Sequence, residues 1–366
     1  MSTAIASWTS AARRIPWGLV ARVGLLLTVL VFVLQLPFFV AGRAEQVTQE
    51  LAQMLYVFLW MLLATSWTRT VPLSMLVSFW FVGLYPVVAL SVMVGQPVAA
   101  ALGLDSPMVY AFWVPLTEEA LKALPILLFF AFAARRGTWQ HAASDGLLLG
   151  CAVGSGFAFH EDAMFRRIGG DGWSAAAPWS YFFPTLGQGV EPVLSHTGWT
   201  ALVGLAIGFA FLYRRRRWVW LLPLGAYVIV ALDHMISNYT SGSAGTSGLT
   251  AMLYALDLNG LLPVLALLGG LLAALVLEHR ALRQAASRDR WFPPIRLAGF
   301  GATVGAPTTW PAIIRWQGFL DYVRYRRALY YAVWQRLAHM PASEATDDMV
   351  RTVFLRGREA GLARAT

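Results

Sequence analysis

Residues 108–134 read MVYAFWVPLTEEALKALPILLFFAFAA. About 20 apolar residues in a helix cross the hydrocarbon layer of a bilayer, so this stretch is long enough to span it. Its interior nevertheless carries Glu118, Glu119 and Lys122. A charge at mid-membrane costs about 2.5–3.5 kcal/mol on insertion scales, so such residues face a protein interior or a wet cavity and mark function. The two carboxylates lie about ten residues from the start of the span, or roughly 15 Å deep at 1.5 Å per residue. Glu118 and Lys122 are four positions apart and Glu119 and Lys122 three, spacings that put either pair on one helix face. Lys122 neutralises one carboxylate; the other points about 100° away and is left for another role.

The rest of the chain has the same character. Of 366 residues, 58% are hydrophobic and 13% charged, against roughly 25% charged in a soluble domain. Eight apolar stretches are long enough to span: about 17–41, 51–67, 71–95, 108–134, 144–165, 190–213, 218–238 and 256–278. The predicted fold class is therefore all-α, a polytopic transmembrane helix bundle of about eight spans. The first stretch is longer than the apolar core of a signal sequence and no Ala-x-Ala site follows it, so it is expected to stay as an anchor. The single cysteine, Cys151, excludes an intramolecular disulfide and reads as packing.

The net charge of +9 comes from 27 arginines and one lysine, and it needs no nucleic-acid partner. With a cytoplasmic N-terminus, the inner flanks hold ten arginines (13, 14, 22, 69, 135, 136 and 214–217) and the outer loops three (43, 166 and 167). Fourteen more follow residue 279. An excess of basic residues marks the cytoplasmic side, so both termini are expected there, in the plasma membrane. The chain divides into spans 1–3 (1–107), a core of spans 4–7 (108–240), a last span (241–279) and a short, basic, Arg-rich cytoplasmic tail (280–366). Within the tail, residues 311–340 show a helical apolar face interleaved with arginines. That pattern fits an amphipathic helix on the cytoplasmic membrane surface, and equally a small helix packed within the tail.

Three further spans carry polar candidates. The fifth has Gly146, Gly150 and Gly154 at small-xxx-small spacing, which lets helices approach closely, and ends in Phe157-Ala158-Phe159-His160-Glu161-Asp162. His160 and Asp162 read as solvated at the interface. The sixth contains His196 about two turns inside its outer boundary. The seventh ends Asp233-His234-Met235-Ile236-Ser237-Asn238, with His234 and Asn238 on one face. Alternate spans run in opposite directions, yet Glu161, His196 and His234 all fall in the outer half, with Glu118 and Glu119 at mid-membrane. Acids and imidazoles gathered at one depth are what water activation needs. Glu161, His196 and His234 also make a two-His, one-Glu set suited to catalytic zinc with an open fourth position. The residues leave open a zinc mechanism and a glutamate-activated water.

The ordered set Glu118-Glu119-x-x-Lys122, Phe157-x-x-x-Glu161, His196 and His234-x-x-x-Asn238, each on its own span, resembles the PrsW family of intramembrane proteases. The run Asp145-Gly146 … Gly154-x-Gly156-Phe157 is similar to that family as well. The resemblance covers about 110–240. A distant likeness to the CAAX-processing and bacteriocin-immunity membrane proteases is weakened by Lys122, which replaces their arginine at a shorter spacing. The resemblance implies a peptidase acting on a membrane-anchored protein, of the anti-sigma-factor kind, on the extracytoplasmic side. Its implied site is Glu118, Glu119, Lys122, Glu161, His196, His234 and Asn238. Glu118 or Glu119 would be the general base, with Lys122 fixing the partner. Glu161 and His196 would hold or polarise water, and His234 and Asn238 would stabilise the oxyanion or complete a metal site. Two other readings use the same residues: a proton-coupled transporter or channel with the cluster as a relay, and a non-catalytic scaffold in which it is structural glue.

Overall fold

A computed structural model describes residues 17–40, 44–66, 68–101, 107–136, 141–164, 194–242, 252, 255–258, 260–288 and 334. All secondary structure among them is helical. The helices are α1 (Trp17–Val40), α2 (Ala44–Ala64), α3 (Leu73–Val82), α4 (Val88–Ala101), α5 (Pro107–Arg136), α6 (Ala143–Met164), α7 (Ser195–Leu212), α8 (Leu221–Gly242) and α9 (Leu261–Arg288). A π-turn, Gly83–Val87, joins α3 to α4 as one rod. It contains Pro86, which has no N–H to give to the ladder, and a widened turn accommodates that loss.

Among the described residues, helical residues lie within each of the eight stretches marked in the sequence. Four are long and apolar enough to cross a membrane: Leu73–Gly95, Ser195–Leu212, Arg217–Tyr239 and Leu261–Ala281. α5, with 30 residues, and α6, with 22, are of similar or greater length but carry the ionisable residues. In α1 and α2 the apolar portions Leu26–Pro37 and Met54–Ala64 are shorter. The chain is a multi-pass membrane protein. The helix at 311–340 lies outside the described residues. Of that segment only Trp334 is described, and it is fully buried within the main apolar cluster of the bundle.

α6 and α7 form the centre. Residues 141–159 are continuously buried, and α7 is buried from His196 to Gly208. Around them, α1, α2, α5, α8 and α9 turn Leu27, Leu59, Phe132, Leu224 and Leu272 outward, as helices must whose outer faces are solvated by lipid. What holds α6 to α7 is backbone contact. A methyl group at Gly146, Gly150 or Gly154 would collide with the carbonyl oxygen of Gly204, Thr200 or His196 respectively. The two helices therefore run antiparallel with a shared four-residue step, and small residues are what allow the approach. The opposite side of α6 does the same with the α3–α4 rod, where Gly156 faces the Trp80 carbonyl and Gly83 faces that of Val153.

The Arg214–Arg217 end of the bundle is closed by a polar knot. Asp145 accepts from the Thr70 and Val71 backbone N–H groups at 2.6 and 2.9 Å and from the Thr70 hydroxyl at 2.5 Å. It also reaches back to the Ala142 N–H at 2.9 Å, as the third residue of a helix does in a capping box. From α9, buried Glu278 accepts the Ser144 N–H at 2.8 Å. These bonds fix the start of α6, and hence the height of everything at its other end.

Replacing Gly150 by Ala is expected to lower stability by at least about 3 kcal/mol, because a buried backbone must move. Gly225→Ala, whose Cβ meets nothing within 4 Å, is expected to be within about 1 kcal/mol of the parent. Thermal unfolding of both variants in detergent checks the contrast.

Candidate active site

The close α6–α7 contact sets His196 at the start of α7 beside the end of α6. Ser195, which precedes it, has φ 41, a left-handed conformation that costs energy in a non-glycine residue and concentrates at functional sites. α5 and α8 bring the remaining groups. Glu119 (1% exposed) and Lys122 (0%) are buried, as are His196 and His234, while Glu118 and Glu161 are half-buried. The cluster sits at the end of α7 opposite the Arg214–Arg217 turn.

Which glutamate pairs with the lysine is resolved. Lys122 Nζ donates to Glu119 Oε1 at 2.5 Å and to His196 Nδ1 at 2.7 Å. Glu119 Oε1 also accepts from His234 Nδ1 at 2.9 Å. Since a carboxylate only accepts, the His234 proton is on Nδ1 and Nε2 offers its lone pair. That Nε2 faces Glu118 Oε2 at 3.9 Å. Glu118 Oε2 is buried and has no hydrogen-bond partner, while its Oε1 receives the Ser91 hydroxyl at 3.4 Å. His196 Nε2 lies 2.5 Å from Glu161 Oε2. With the ammonium donating to Nδ1, the imidazole proton is on Nε2, directed at Glu161.

Aromatic walls hold the imidazoles. The Trp199 ring stacks on His234 at 4.5 Å and meets His196 edge-on at 5.0 Å. Phe157 meets the other side of His196 at 5.0 Å, and Lys122 Nζ lies 4.6 Å from the Phe157 ring centre, within cation–π range. Trp199 is itself fixed by donating from Nε1 to Asp233 Oδ2 at 2.5 Å. The Tyr227 hydroxyl of α8 donates to the Leu116 carbonyl of α5 at 2.9 Å.

The structure therefore brings Glu118, Glu119, Lys122, Glu161, His196 and His234 together. Asn238 lies one turn beyond His234 on α8 and is half-buried. Cys151 is buried in the apolar core, away from this cluster. Sequence reading gave no role to Trp199 or Asp233. Trp199 is three residues past His196, on the same helical face, and Asp233 is a carboxylate inside a span; both signals were available.

Among the described residues, the group whose ligand atoms converge is Glu118, His196 and His234, all within 4.8 Å of one another. The set expected from the sequence had Glu161 where this group has Glu118; Glu161 contacts His196. The donor set suits a metal: an unpartnered buried carboxylate oxygen, and an imidazole whose other nitrogen is tied to a carboxylate, the usual way a metal-binding histidine is oriented. At His196 the hydrogen bonds run the other way, so Lys122 and Glu161 must both release that ring for Nε2 to bind a cation.

Lys122→Met would leave Glu119 buried without its cationic partner. Removing one member of a buried pair costs about 3–5 kcal/mol. The variant is expected to lose that much in chemical unfolding, and Lys122→Arg less.

The model of the PrsW family intramembrane metalloprotease matches residues 60–268, more than half the chain. It reaches well beyond the 110–240 of the motifs, taking in the α3–α4 rod that packs on α6 and the first part of α9. No curated protein and no solved structure matches the chain significantly. The chain belongs to the PrsW family of intramembrane metalloproteases, and it is a peptidase.

Proposed function

We propose that the protein cleaves a membrane-anchored protein of the anti-sigma-factor kind close to the outer leaflet, from the plasma membrane, with both termini in the cytoplasm. The observation that carries the site assignment is the buried, unpartnered Glu118 Oε2 facing an imidazole whose Nδ1 is already held by Glu119. Residues 108–240 form the catalytic core in this reading. Spans 1–3, the last span and the basic tail surround or extend it.

Glu118, His196 and His234 would hold the metal, with zinc the candidate because two imidazoles and a carboxylate are its usual catalytic ligands. When bound, the metal supplies Lewis-acid polarisation of water and of the scissile carbonyl. The chain's own groups do the rest. Glu119 holds the His234 ring and keeps its proton on Nδ1. Lys122 balances Glu119, so that two adjacent glutamates do not place two negative charges in the site. Glu161 is the acid placed to take a proton from water, since 24% of its side chain is exposed, more than that of any other acid in the cluster. Asn238, one turn from His234, is a side-chain donor toward the developing oxyanion.

A second reading has one observation in its favour. The Lys122–His196–Glu161 chain of contacts, at 2.7 and 2.5 Å, is a relay that polarises Glu161 without His196 as a ligand. Glu118 would then serve as a base for water rather than as a ligand.

Glu118→Gln and Glu161→Gln are each expected to reduce cleavage of a membrane-tethered substrate by about 10²–10⁴-fold, the range of general acid–base contributions, with unfolding midpoints unchanged. Metal content separates the readings. In the metal-centre reading Glu118→Gln and His234→Ala lose the bound metal, Glu161→Gln keeps it, and a chelator abolishes cleavage by the parent. Chelator-resistant cleavage by metal-free protein would overturn the centre and leave the glutamate–water reading. Full activity in both glutamine variants would defeat the assignment altogether.

A further inference from the structure

The opposite half of the bundle holds a cavity of about 610 Å³ between α7, α8 and α9. Its walls are apolar, with Leu205, Phe209, Leu222, Ile229, Ala266 and Leu277 among them, and it is partly open to the outside. Gly225 contributes to its lining, and a Cβ added there would meet nothing within 4 Å. At one end the lining becomes polar, with Tyr213, Arg216 and Trp218. Arg215, Arg216 and Arg217 are exposed around that mouth, and the Trp218 side chain is 58% exposed.

Length identifies what fits. On α7 the groove runs from Leu202 to Tyr213 and on α9 from Ala266 to Leu277, roughly 16 Å in each case at 1.5 Å per residue. That is about half of a 30 Å hydrocarbon core, the depth of one leaflet. A transmembrane helix needs a groove twice as long. One acyl chain fits this one, with its headgroup beside the arginine run. Arginine clusters at the mouths of pockets between membrane helices attract anionic headgroups, and Trp218 stands at the level where indole rings prefer to lie. We propose that this groove is a binding site for one anionic phospholipid of the leaflet on the Arg214–Arg217 side, distinct from the catalytic cluster at the other end of α7.

The test uses the full-length protein in nanodiscs containing phosphatidylcholine with or without phosphatidylglycerol, followed by native mass spectrometry after release into mild detergent. The expected result is one retained phosphatidylglycerol per chain and no comparable phosphatidylcholine adduct. Arg216→Gln is expected to reduce retention about fivefold, the effect of one basic residue near the membrane surface. Gly225→Leu, which fills the groove from an open position, is expected to abolish it with the unfolding midpoint preserved. Equal retention of both lipids, or retention unaffected by Gly225→Leu, overturns the proposal. So does the absence of any adduct, which would mean that another part of the chain closes the groove. If Gly225→Leu instead leaves the lipid in place and removes crosslinking to a membrane-anchored substrate, the groove receives a protein helix and the lipid assignment is wrong.

Discussion

Everything at the end that carries the Glu118–His196–His234 cluster depends on two backbones touching. Gly146, Gly150 and Gly154 let α6 lie against the carbonyls of α7 without side chains between them. Lipid gives helices little hydrophobic reason to associate, so dispersion and close packing must do the work. A close-packed pair has few alternative registers, because a shift of one residue puts a side chain where a carbonyl stands. The contact between Gly154 and the His196 carbonyl thereby fixes His196 relative to Phe157 and Glu161. At the other end Asp145, tied to four donors around Thr70, Val71 and Ala142, anchors the start of α6.

Onto this rigid pair the charged residues of α5 and α8 are fitted. Burying Glu119 and Lys122 carries a desolvation cost that a single contact does not recover. Their arrangement offsets it by sharing: one carboxylate oxygen accepts from both Lys122 and His234, and the same ammonium reaches His196. The two histidines are thus held in opposite tautomers by one ion pair. That is a device for specificity more than for stability: it ties up Glu119 Oε1, while Glu118 Oε2, like Glu119 Oε2, is buried without a hydrogen-bond partner.

Much of this was legible in the sequence, and the parts that were not share a cause. Long apolar runs, intramembrane charges and glycines spaced by four are local signals. They marked the eight helical stretches, the close approach of α6 and the polar cluster. Which glutamate meets Lys122 depends on the rotation of α5 about its axis, and the two choices, about 100° apart, both satisfy helical spacing. The partner glycines on α7, Gly204 and Gly208, look like ordinary small residues until α6 is laid against them. Trp199 on α7 acquires its role through His234 and Asp233, which belong to α8. Glu278 is far from Ser144 in the chain, so nothing local announces that it caps α6. The family match takes in the α3–α4 rod, which the contacts of Gly83 and Gly156 join to the core.

The same packing argues against a proton relay through the bundle. A relay requires polar groups close enough to hand a proton across the whole hydrocarbon layer. From Gly146 to Gly154, about 13 Å of α6 at 1.5 Å per residue, the side chains are Leu, Ala, Val and one buried cysteine. Over the corresponding depth α5 contributes Ala123 to Ala134, α7 contributes Ala201 to Leu212 and α9 contributes Leu261 to Leu277, all apolar. Among the described residues the Asp145 knot and the Glu118–His196–His234 cluster are therefore two separate polar sites, divided by an apolar layer along α5, α6, α7 and α9. A transporter would have to open that layer, and the glycine contacts that define the fold run straight through it. A hydrolase needs water at one end only, where half-buried Glu161 is 24% exposed, and for it a sealed far side is an advantage.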